Sequence, residues 1–233
     1  MASKIFMGTM PEIMENILNN NLNNEFHTLH SCALVSRHWC KMSIPILWQD
    51  PFSFDRRKPL FISKYFSSLG EDEKFVLKKC GVNTDSETLF NYAKFLKVLD
   101  LFRLENKVKK WIDLELINSK LYCNSSMHYI INLLFKLFIE SGATLYTLDL
   151  HFSEFLKFSP EIFYSLGENK QFFSQLQNLS LGIISRFNIE SVATLLRVLA
   201  KNTTRIMNLN YFILYFILLY ALLNHKINLE NLV

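Results

Sequence analysis

A six-residue string, Leu-x-x-Leu-x-Leu, recurs through the second half of the chain and constrains its fold more than any other feature. It stands at Leu96/Leu99/Leu101, Leu145/Leu148/Leu150 and Leu176/Leu179/Leu181, with a degraded copy at Ile206/Leu209/Tyr211. The strings begin 49, 31 and 30 residues apart. Within each, apolar residues alternate with others, the period of a strand that buries one face. Ahead of the strings, apolar residues fall at helical spacing, which predicts helices over 86–95, 127–140, 160–166 and 189–200. Ser159-Pro160 and Asn188 are start signals for the third and fourth, and Gly142 and Gly167 are stop signals.

Strand and helix units alternating at about 30 residues fit a leucine-rich-repeat-like α/β solenoid, here over residues 85–211. The 49-residue gap implies an insertion around 102–126 or a further, degraded repeat. None of the strings is followed by the asparagine or cysteine that closes the backbone turn in a regular repeat of this kind. Six glycines and five prolines in 233 residues disfavour a turn-rich sandwich or barrel. A hydrophobic share of 50% argues against wholesale disorder.

Residues 53–84 read as a helical connector rather than a second core, with patterns at 59–69 and 71–80 forming a helical hairpin packed against the start of the next region. Gly70 and Gly81 lie just past the two ends, where a left-handed residue is often required. After the repeats, Tyr211–Leu223 reads YFILYFILLYALL. Thirteen residues fall short of the roughly 20 that span a bilayer. A buried terminal element is the first reading of this segment (212–233), and a membrane anchor or a truncated end the others.

The first fifty residues read as three short helices. Pro11 suits a first helical position, and Ile13, Met14, Ile17, Leu18 and Leu22 share one face. Phe26, Leu29, Ala33 and Leu34 mark a second apolar face. Ser36 is placed to cap a third helix, which presents Trp39 and stops at Ile44-Pro45, because the residue before proline is pushed from helical angles. Ile46-Leu47-Trp48 beyond it is too apolar for an idle loop.

Several chemistries fit poorly. His27, His30, Cys32, His38 and Cys40 crowd together, but their spacing matches no common zinc pattern. Four cysteines do not make a disulfide framework in a chain of this length, and no export signal precedes them, so the expected setting is intracellular, cytoplasmic or nuclear. No phosphate loop, nucleophile elbow or His-Glu-x-x-His string is present, so neither catalytic residues nor cofactors are expected. A formal net charge of +4 is mild for a nucleic-acid binder. A helix-turn-helix reading with Arg37 and Lys41 on its last helix stands as an alternative, as does a truncated, non-functional relative of the family named next.

The line MPEIMENILNNNLNNEFHTLHSCALVSRHWCKMSIPILWQD resembles the F-box motif. Met10-Pro11-Glu12-Ile13 resembles its Leu-Pro opening and Ile17-Leu18 its apolar pair. Leu34-Val35-Ser36-Arg37-His38-Trp39 is similar to its Leu-Val-Cys-(basic)-x-Trp core, and Leu47-Trp48 to its closing pair. Met10 replaces the opening leucine, and extra asparagines follow the first helix. The resemblance implies an F-box domain over 8–52 joined to the repeats, as in fungal F-box proteins: a mixed α and α/β chain. It further implies the substrate-recognition subunit of an SCF-type ubiquitin ligase, with no chemistry of its own. Its partners would be a Skp-type adaptor, through it a cullin, and an unidentified target protein held by the repeats. By motif position the adaptor contacts are Pro11, Ile13, Ile17, Leu18, Leu34, Val35, Trp39, Leu47 and Trp48, with Trp39 divided between contact and core.

Overall fold

The computed structural model describes residues 16–18, 26–53, 58–79, 81–82, 88–115, 124–152, 158–183, 189–203 and 206–211. The chain divides into two compact units, Met1–Pro51 and Phe52–Val233. Among the described residues the architecture is mixed, helices with one small parallel sheet.

In the first unit, residues 16–18 are helical, and helices α1 (Phe26–Ala33) and α2 (Arg37–Leu47) pack on each other. Ser36 caps α2 as expected: its backbone is extended and its hydroxyl accepts the Trp39 N–H at 3.3 Å. The expected stop at Ile44-Pro45 is corrected. The helix runs through Pro45 to Leu47. Proline lacks an N–H and its ring crowds the carbonyl one turn back, yet the last turn still closes through Trp48 N–H donating to the Ile44 carbonyl at 3.2 Å. Burial of Ser43, Ile46 and Leu47 on one face holds that turn.

The second unit opens on a 3-10 helix, Pro59–Ser68, and α3, Glu71–Lys79. Side chains three apart eclipse in a 3-10 helix, and Pro59, Ile62 and Tyr65 form such a buried line. These residues pack into the core of the second unit. Tyr65 stands edge-on to Phe138 at 5.1 Å, Phe52 meets Phe61 at 5.6 Å and Phe138 at 6.2 Å, and Phe66 meets Trp111 at 5.3 Å. Gly81 (φ 85°) ends α3 as expected, with Val82 N–H returning to the Leu77 carbonyl at 3.0 Å. Gly70 instead begins α3, its carbonyl accepting Lys74 N–H at 3.1 Å.

The Leu strings become four parallel strands in chain order: β1 (Val98–Asp100), β2 (Thr147–Phe152), β3 (Asn178–Ile183) and β4 (Asn208–Tyr211). The register aligns the strings leucine to leucine, Leu99 with Leu148, Leu148 with Leu179 and Leu179 with Leu209. Leu96, Leu145 and Leu176 close the same core just ahead of the strands.

The 49-residue gap carries two helices, α4 (Leu101–Glu115) and α5 (Asn124–Glu140). Leu101, Leu104, Val108, Trp111 and Ile112 bury one face of α4. Asp100 caps α4: its carboxylate accepts the Arg103 N–H at 2.9 Å, and the helix starts directly off β1. The crossovers after β2 and β3 hold α6 (Pro160–Glu168), a 3-10 turn at Lys170–Phe173, and α7 (Ile189–Asn202), and α5, α6 and α7 pack in succession. Gly142 (φ 77°) ends α5 as expected. Gly167 lies inside α6, which ends at Asn169, whose backbone N–H and side-chain amide both donate to the Ser165 carbonyl.

Where a helix is expected over 86–95, the described residues 88–95 hold only a 3-10 turn, Tyr92–Phe95. Thr88 explains this. Its hydroxyl donates to the Phe90 carbonyl at 3.0 Å, a local bond that competes with a helix, and lies 2.7 Å from the Ser67 hydroxyl, a long-range contact. Tyr211 ends β4, and the rest of the apolar terminal run, with the segment 212–233, lies outside the described residues. No described helix is long and apolar enough to cross a membrane.

Candidate partner-binding surfaces

The nine residues singled out in the first unit fall into three groups. Leu34 and Val35 are 75% and 68% exposed on the turn between α1 and α2, and Ile17 is 43% exposed. Leu18, Leu47 and Trp48 are buried, and Trp39 is half-buried. Pro11 and Ile13 lie outside the described residues. The turn itself is tight: Leu34 and Val35 donate their N–H groups to the Ser31 and Cys32 carbonyls, both at 3.1 Å. The α1 core residue Leu29 is 1% exposed, whereas His27, His30 and Ser31 on the other side lead along the exposed face to Leu34. The tip thus holds two large apolar side chains in water on a hydrogen-bonded corner ahead of the Ser36 cap, the arrangement expected of a contact rather than a core.

Cys32 and Cys40 are free and half-buried, and burial pushes the Cys32 thiol up from its ordinary value, away from the reactive thiolate. Among the described residues no group of three or more His, Cys, Asp or Glu could hold a metal ion.

The second surface is the open face of the sheet. Strand alternation sends Leu148, Leu150, Leu179 and Leu181 to the helices and leaves the intervening residues on the opposite face. There Asn208 donates to the Asn178 side-chain carbonyl at 2.7 Å, and Asn178 donates to the Thr147 hydroxyl at 3.2 Å, a polar ladder across three strands. A second row sets Asp100, Asp149, Ser180 and Asn210 side by side in register. His151 Nδ1 stands 2.5 Å from Asp149 Oδ1. The ring lies over Gly182, where a Cβ would come within 2.5 Å of it, so any larger residue there displaces the imidazole. Arg103 pairs with Asp100 at 3.1 Å. These face residues escaped the sequence reading. Thr147, Asn178, Asn208, Asp100, Asp149, Ser180 and Asn210 are x positions of the leucine strings and His151 follows one of them, and only the register groups them.

Burial, first, and the neighbouring Asp100 raise the Asp149 carboxyl above its ordinary range, while His151 and Arg103 pull it back. The folded chain therefore holds this proton more tightly than the unfolded one. Stability contributed by the protonated form is lost as pH rises from the ordinary carboxylate value through the raised one. Asp149→Asn has no proton to lose, so its stability relative to the parent should increase with pH across that window. Urea denaturation at pH 4 and pH 7 checks it; an unchanged difference between the two pH values would remove Asp149 from the acid-side titration.

Comparison with protein-family models, with curated proteins and with solved structures finds no match in any of the three.

Proposed function

We propose that the chain is a docking subunit of an SCF-type ubiquitin ligase. The first unit binds a Skp-type adaptor and, through it, a cullin, while the parallel-sheet unit, read as a short leucine-rich-repeat solenoid, holds a target protein within the cell. The observation that carries this reading is the exposure of Leu34 and Val35. The two residues stand in water where the F-box resemblance places docking anchors, and no core needs them. The leucine strings, aligned across four strands, and the polar open face support the receptor half: a sheet with one face sealed by helices offers its other face to a partner. The chain would act by raising the local concentration of its target beside a charged conjugating enzyme, with no bond made or broken by its own residues.

Capture of purified Skp-type adaptor by the full-length chain tests the reading, with Leu34→Asp/Val35→Asp as the comparison. Burying the two side chains at about 1.5 kcal/mol each makes the double variant roughly 100-fold weaker. Its melting temperature should stay within a degree or two of the parent, since both side chains are already exposed. Equal capture by parent and variant would sink the assignment.

A further inference from the structure

We infer, on the footing of the docking reading above, that the partner of the α1–α2 tip presents an acidic rim around an apolar notch. Arg37 and Lys41 stand one turn apart on α2 and are both exposed. Neither has an ion-pair partner among the described residues. Arg37 lies two positions after Val35, so the cationic stripe starts where the apolar pair ends. His27 and His30 are exposed on α1 along the line that leads to Leu34.

Among the described residues of this unit Asp50 is the only acid. It is half-buried and already has a partner. Glu12, Glu15 and Glu25 lie outside the described residues. Within the described residues, the tip is thus an apolar pair with an uncompensated basic border. A surface of that kind is complemented by carboxylates set around a hydrophobic depression, and charge of opposite sign steers such an encounter. A nucleic-acid backbone would neutralise Arg37 and Lys41 but leave Leu34 and Val35 in water. The exposed apolar pair therefore favours a protein.

The basic border should set the association rate more than the lifetime of the complex. In the full-length chain, Arg37→Glu/Lys41→Glu should slow association with the Skp-type adaptor about tenfold or more at low ionic strength. The difference should shrink towards none at about 1 M salt, where the screening length falls to roughly 3 Å, and the dissociation rate should change little. If Leu34→Asp/Val35→Asp abolishes binding while the charge-reversed variant keeps the parent's rate and salt slope, the acidic-rim inference is overturned and the docking reading survives. If both variants bind as the parent does, the docking reading itself fails. A parent chain that ignores the adaptor yet binds duplex DNA, with a salt slope reduced in the charge-reversed variant, would overturn the inference in favour of phosphate recognition.

Discussion

Trp111→Ala should remove about 3–5 kcal/mol from the stability of the second unit, the usual cost of deleting a buried tryptophan side chain. Trp111 is fully buried on α4, donates its indole N–H to the Ser63 hydroxyl at 2.9 Å and stands edge-on to Phe66 at 5.3 Å. It is the bolt between the inserted helix and the 3-10 segment Pro59–Ser68. Truncation leaves a cavity on that seam and strands the hydroxyl's partner bond. A domain of this kind typically has about 5–15 kcal/mol in hand, so the variant should unfold at markedly lower urea. Trp111→Phe keeps most of the apolar area and loses the hydrogen bond, worth about 1 kcal/mol net. A loss below about 1 kcal/mol for the alanine variant would mean that α4 is an appendage rather than part of the core.

That seam also shows what the sequence could and could not reveal. The leucine strings were legible because strand alternation and near-constant spacing act together, and their register emerges leucine on leucine. The helix at Leu101–Glu115 was hidden by its own first residue. Leu101 completes the period-two string, yet Asp100 caps a helix there, so one leucine belongs to both patterns. The 3-10 segment looked like a connector because much of its burial comes from Trp111 and Phe138, partners far away in sequence. Pro45 looked like a terminator because the rule for the residue before proline is local, whereas burial of Ile46 and Leu47 is tertiary.

The candidate surfaces divide in the same way. Leu34 and Val35 were visible as members of an ordered motif, but nothing in the line of residues separates them from Leu47 and Trp48. Exposure does so, 75% and 68% against 4% and 5%. On the sheet, Asp100, Asp149 and His151 lie on two strands whose alignment puts Asp100 beside Asp149 across a sequence gap of 49 residues. No local pattern announces such a row, since its members are defined only by what alternates with them.

The contrast between the two apolar pairs leads to the second large effect. Leu47→Ala and Trp48→Ala should each behave as core truncations, costing about 2–5 and 3–5 kcal/mol. Leu47 closes the last turn of α2, and Trp48 caps it, its N–H held by the Ile44 carbonyl at 3.2 Å. The double variant should therefore lose adaptor capture together with the fold of the first unit. Its far-ultraviolet helical signal should fall, and its amides in α1 and α2 should exchange rapidly with solvent. Leu34→Asp/Val35→Asp should lose capture with both signals intact. The two results together separate a contact from a support, which capture alone would confuse. Should Leu47→Ala/Trp48→Ala abolish capture while the protection of α1 and α2 is fully retained, these side chains would themselves be the contact, reached by a rearrangement of the last turn of α2. The docking surface would then extend beyond the exposed tip to the closing pair of the motif.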